Sequence, residues 1–161
     1  MPRRYSRAVA FLVAALVASP FASIGADTCK EAGGPFTSTL VPPPDCTSPI
    51  GVCTIGALDG QHDETYYFVM DTLVPSPDLV PGKFVYTGHS LITRTHGGAT
   101  LIGQDSGVIF MDVAPAPFVT TVNVVGGTKQ FAHATGQYVA TGQLDFITGA
   151  AVGTYTSNVC K

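Results

Sequence analysis

Gly126-Gly-Thr-Lys-Gln-Phe-Ala-His-Ala-Thr-Gly136, with further glycines at 142, 149 and 153, sets short β-prone runs against glycine-rich connections. Glycines at 126 and 127 permit positive φ in a tight connection, Phe131 supplies an apolar anchor, and Gly136 reopens the chain into the next strand. Working outward, the same punctuation recurs at Pro75-Ser-Pro-Asp78, His96-Gly-Gly98, Ala114-Pro-Ala-Pro117 and Thr148-Gly149. From Thr54 onward no stretch keeps a helical period of about 3.6 residues. The pattern predicts an all-β domain, with strands near Thr54 to Leu58, Thr65 to Thr72, Gly82 to Thr93, Thr100 to Asp112, Phe118 to Val125, Gly136 to Phe146 and Ala150 to Val159.

The longer runs alternate, but both of their faces carry apolar residues. Phe84, Tyr86, Gly88, Ser90 and Ile92 oppose Val85, Thr87, His89, Leu91 and Thr93; likewise Leu101, Gly103, Asp105, Gly107 and Ile109 oppose Ile102, Gln104, Ser106, Val108 and Phe110. A sheet curled on itself accounts for this better than an open sheet with one wet face. Small residues such as Gly88, Gly103, Gly107 and Gly142 then serve strand curvature or leave internal room for a ligand.

Residues 1–26 read as a secretory signal peptide: Arg3, Arg4 and Arg7 precede an apolar core from Ala8 to Ala18, and Ile24-Gly25-Ala26 offers a cleavage site. The apolar core is about eleven residues, too short for a membrane-spanning helix of roughly 20. Sec export to a secreted or periplasmic location is expected, with the twin-arginine route as the alternative. Residues 27–49, with Gly33-Gly34-Pro35 and Pro42-Pro43-Pro44, read as an irregular N-terminal arm, and residues 50–161 as the β-barrel domain.

Eleven acids against five bases (Lys30, Lys83, Arg94, Lys129 and Lys161) leave a formal charge of −6 after residue 26. Without clustered Lys and Arg, neither a nucleic-acid partner nor an anionic membrane surface is expected. All four cysteines, Cys29, Cys46, Cys53 and Cys160, follow the cut, and an even count in an exported chain reads as two disulfides in any of three pairings. Closing a barrel would bring Cys160 near Cys53 or Cys46, a loop of over a hundred residues worth about 4 kcal/mol by the chain-entropy relation. Spacings for a structural metal site are absent, and no cofactor is expected.

The 126–136 run, with Thr141-Gly142-Gln-Leu-Asp-Phe-Ile-Thr-Gly149, Gly153-Thr-Tyr155 and Cys160, resembles bacterial proteins of the allene oxide cyclase barrel-like group. The plant dirigent proteins are more distant relatives. The segment from Tyr86-Thr-Gly88 through His96-Gly97 to Asp105-Ser-Gly107 is similar too, so the resemblance spans roughly residues 50 to 160. It implies an eight-stranded antiparallel β-barrel, calycin-like, with a central cavity, and a homodimer or homotrimer as in relatives. In the plant enzymes such a barrel holds an unsaturated fatty-acid epoxide or steers phenoxy radical coupling. None of their catalytic residues is carried over to this chain.

Candidate chemistry comes from the residues themselves. If the hairpin from Gly82 to Asp112 turns about Gly97, residues whose numbers sum to 194 face each other, and His89 meets Asp105 as a base with an orienting carboxylate. Tyr86 and Tyr138 are the candidate ligand-binding phenols, aimed inward with their hydroxyls on a polar group. His133 reads as an exposed loop residue, and His62, Asp63 and Glu64 as a solvated acidic turn. Two functional classes fit: an exported barrel that binds a small apolar ligand or is structural, and a cofactor-independent cyclase or isomerase that folds an apolar unsaturated substrate.

Overall fold

The computed structural model describes residues 28–161 other than 62 and 79. The signal-peptide reading of residues 1–26 and the reading of His62 lie outside the described residues. Eight strands run in chain order: β1 (Cys29–Leu40), β2 (Cys53–Leu58), β3 (Glu64–Pro75), β4 (Lys83–Arg94), β5 (Thr100–Phe110), β6 (Ala116–Gly127), β7 (Thr135–Leu144) and β8 (Ala150–Cys160). Each pairs antiparallel with the next and β8 pairs back to β1, so the sheet is a closed eight-stranded barrel without an edge. Among the described residues no helix is long and apolar enough to cross a membrane.

The two faces separate as the alternation groups them, and burial shows which is inside. Tyr86, Ser90 and Ile92 on β4 and Leu101, Asp105 and Ile109 on β5 are buried inward, while Thr87, His89, Leu91, Ile102 and Gln104 are exposed outside. Inward glycines make room for rings from the neighbouring strand. A Cβ at Gly107 would lie 2.3 Å from the Tyr86 ring, and one at Gly88 would lie 2.5 Å from that of Phe68.

The barrel differs from the sequence-based expectation at three places. The supposed arm supplies strand β1 from Cys29 to Leu40, and only the connection after it is irregular. Pro35 is tolerated because its carbonyl, and therefore its nitrogen, points to the β2 side, where β2 has already ended and Asp59 N donates to that carbonyl at 2.9 Å. Its missing donor costs no ladder bond, and β1 stays paired with β8 through Pro35↔Thr154. Gly34 is there for closeness: a Cβ would sit 1.8 Å from the Asp59 carbonyl oxygen.

The cysteines pair as Cys29–Cys160 and Cys46–Cys53, so Cys160 meets neither Cys53 nor Cys46. Because the arm is a strand, Cys29 and Cys160 are direct partners across β1 and β8. With 131 residues of separation that bridge contributes about 5 kcal/mol by the chain-entropy relation, and the seven-residue one about 2.5 kcal/mol. The smaller bridge holds the β1–β2 loop over the outside of β3, where Tyr67 Oη donates to the Asp45 carbonyl at 2.9 Å.

The third correction is the hairpin register, which is Gly88↔Asp105 and His89↔Gln104. The turn lies half a residue before Gly97, with Gly97 and Gly98 at positive φ. A one-residue change of pairing partner moves a side chain to the other face. His89 is therefore outside and Asp105 inside, and they do not form a pair.

Candidate functional site in the barrel interior

The glycine-rich connection 126–136 closes one end of the barrel. Gly126 at φ 147° and Gly136 at φ 126° bracket a 3-10 turn, Lys129–Phe131, which drops Phe131 into the end of the interior against Leu101, Val124, Ala134 and Val159. Gly127 serves close approach, since a Cβ there would lie 2.1 Å from the Thr100 carbonyl oxygen. Arg94 and Lys161 lie over the Phe131 ring at 4.7 and 4.8 Å, an arrangement that favours both cations. His133 is exposed beside this turn, as expected.

Beneath this plug is an ion pair between buried Glu64 and half-buried Arg94 that the sequence does not reveal. Glu64, only 4% exposed, accepts from Arg94 Nε at 3.1 Å and from Tyr138 Oη at 3.2 Å. Glu64 is thus not part of a solvated acidic turn. It shares the inward parity of Tyr66 and Phe68 on β3, and that alternation was the available signal. Tyr138 points inward as expected, but its hydroxyl is committed to Glu64 and its ring stacks on Tyr155 at 6.1 Å. Burial and the Glu64 carboxylate raise the Tyr138 pKa, so it remains a neutral donor.

Next to this pair, within the barrel, is a cavity of about 120 Å³. Seven of its lining residues are aromatic, among them Phe36, Tyr66, Phe68, Tyr86 and Phe118, and aliphatic side chains such as Leu144 and Met70 fill much of the rest. Phe68 meets Tyr86 edge to face at 6.1 Å, and Phe36 tilts against Phe118 at 6.0 Å.

Asp105 is the charged group on this wall. It is 6% exposed; its Oδ1 accepts from Ser90 Oγ at 2.7 Å, and its Oδ2 is buried with no hydrogen-bond partner. Burial pushes its carboxyl up to about 6, opposed by the Ser90 hydroxyl and by the charge of His89 through the sheet, while Asp71 adds to the rise. Tyr86, the other predicted ligand phenol, lines the same cavity; burial pushes it up to about 12 against a hydrogen bond with Thr120. Burial also raises Tyr66, against the hydroxyls of Ser38 and Thr54.

His89, by contrast, sits on the outer surface with Nδ1 3.2 Å from Asp71 Oδ2. Asp71, the extra residue of a bulge between Met70 and Thr72, keeps the outward parity of Tyr67 and Val69. Among the described residues, no group of three His, Cys, Asp or Glu side chains could hold a metal ion.

No protein-family profile and no curated protein sequence matches the chain. Among solved structures, a pterocarpan synthase dirigent protein is similar at 17% identity over 83% of this chain and 85% of that chain, with a TM-score of 0.45.

Proposed function

We propose that this chain is an exported barrel protein that holds one small, mostly apolar molecule in its interior, with the molecule's polar group set against Asp105. The observation that carries this reading is that Asp105, whose Oδ2 is buried without a hydrogen-bond partner, stands in the wall of a mostly apolar, aromatic-lined cavity. A buried polar atom without a partner costs about 1–3 kcal/mol, which a bound group can relieve. Export is supported by the leader-like residues 1–26 and by the two disulfides.

Volume restricts the occupant. An engineered cavity of about 150 Å³ holds benzene, whereas drug-sized ligands use about 300–1,000 Å³. At about 120 Å³ the interior suits a single ring or a short branched chain, and a long acyl chain would have to protrude. The test is native mass spectrometry of the exported protein without reduction, together with thermal unfolding in the presence of benzene-sized probes. The wild type should gain mass or stability saturably, and Ala140→Phe, which fills the cavity wall, should gain neither. A folded Ala140→Phe protein that binds like the wild type would remove the interior as the site.

A second reading, a cofactor-independent cyclase or isomerase, is favoured by one specific observation. A carboxyl with a pKa of about 6 holds and releases a proton near neutral pH, as an acid or base beside a confined substrate must. In that case Asp105→Asn should retain binding and lose turnover. His89 would have no part, because it lies on the other side of the sheet.

A further inference from the structure

We propose that the molecule held in the barrel is a small organic cation, an amine or quaternary ammonium whose charged nitrogen sits against Asp105 while its hydrocarbon body fills the aromatic-lined cavity. This rests on the interior being a binding site and adds the chemical class of the occupant.

The charges of the interior favour a cation. Among the described residues Asp105 is the charged side chain lining the cavity, while Glu64 and Arg94, with Lys30 and Lys161, line a smaller pocket beside Phe131. Glu64 and Arg94 neutralise each other at 3.1 Å. Asp105 has only the Ser90 hydroxyl on one oxygen, and no described cation pairs with it. The cavity therefore carries one uncompensated negative charge whenever Asp105 is ionised. A neutral hydroxyl would satisfy the hydrogen bond on Oδ2 but leave the buried charge, whereas an ammonium answers both. An anionic ligand would meet that charge unscreened.

The walls favour a cation as well. Aromatic faces attract cations through the ring quadrupole, most strongly where water is excluded, and quaternary ammonium groups are recognised by aromatic cages. Phe36, Tyr66, Phe68, Tyr86 and Phe118 line a volume suited to a ring or branched chain of this kind. The surplus of acids over bases after residue 26, a formal −6, also favours the approach of cations.

Ionisation of Asp105 should then govern affinity. The titratable groups about it are the phenols of Tyr66 on β3 and Tyr86 on β4, inside, and the His89–Asp71 pair on the outer surface of the same strands. From β1, β2 and β6 the interior presents the hydroxyls of Ser38, Thr54 and Thr120. Glu64 and Arg94 stand together at the closed end.

The experiment compares cyclohexylammonium with cyclohexanol, which have nearly the same shape, by calorimetric titration into the protein at pH 5 and pH 8. The cation should bind at least about tenfold more tightly than the alcohol at pH 8. Its advantage should shrink at pH 5, and the folded Asp105→Asn protein should lose it. If Asp105→Asn fails to fold, the wild-type pH comparison decides alone. Equal or tighter binding of cyclohexanol at pH 8, or a preference unchanged between the two pH values, overturns the cation assignment while leaving the interior as a binding site. If neither probe binds, the cavity reading falls and the cation assignment falls with it.

Discussion

Two carboxylates are buried in one barrel and live in opposite circumstances. Glu64 lies under the Phe131 plug with a guanidinium and a phenol on its two oxygens, and Asp105 lies at the cavity wall with one oxygen satisfied and the other bare. The first arrangement closes an end of the molecule; the second leaves a polar group waiting for a partner. Burial alone therefore does not mark a functional acid. What distinguishes Asp105 is burial without compensation beside empty space.

The largest expected effect comes from unbalancing the compensated site. Arg94→Met should leave Glu64 as a buried, half-paired acid and remove one of the two cations over Phe131, lowering stability by about 3–5 kcal/mol in urea unfolding at pH 7. The double change Glu64→Gln with Arg94→Met should recover much of that loss. A single Arg94→Met protein as stable as the wild type would erase the contrast between the two carboxylates.

Asp105→Asn should act in the other direction, and only at higher pH. Asp105 has a folded pKa raised from the ordinary 3.8 to about 6, so between those values the folded state holds a proton that the unfolded chain has released. Its contribution to stability is fully present below the unfolded pKa and is lost as pH rises through about 6. By pH 8 the penalty reaches at most about 3 kcal/mol. Asp105→Asn should thus be the more stable protein at pH 8, with the gap closing toward pH 4. Parallel unfolding curves across that range measure it, and a gap independent of pH would mean that Asp105 is not the strained group.

The smallest effect should follow Tyr138→Phe, which removes one donor from Glu64 while Arg94 remains. A loss of about 1.5–3 kcal/mol is expected for a hydrogen bond to a charged acceptor, nearer the lower figure at this 3.2 Å contact. Cyclohexylammonium binding should change little, because the Tyr138 hydroxyl points at the closed end and not at Asp105. Comparing calorimetric titrations of the variant and the wild type separates the two regions directly.

Most of the barrel was legible because alternation is local. That Tyr86 shares a face with Ser90, and Leu101 with Asp105, follows from period two within single strands, whereas which face turns inward does not, because both faces carry apolar residues. Strand β1 was not legible, because glycine and proline at 33–35 break a strand unless a neighbour has ended beside them, and only the β2 terminus shows that it has. The proposed pairing of His89 with Asp105 failed on half a residue of turn, a quantity that the glycines at 97 and 98 leave free. Glu64 and Arg94 are 30 residues apart and meet only because β3 and β4 pair in register.

By itself the sequence determined an all-β chain with two-faced apolar strands, glycine-rich connections and four cysteines set for disulfides, since propensity, period and turn chemistry act over a few residues. Tertiary structure decided the rest: that β1 closes the sheet onto β8, that Cys29 finds Cys160, that Glu64 is neutralised by Arg94, and that Asp105 is left unpaired in an aromatic cavity. Those outcomes depend on register and closure, which fix distances between residues far apart in the chain and which no local pattern specifies.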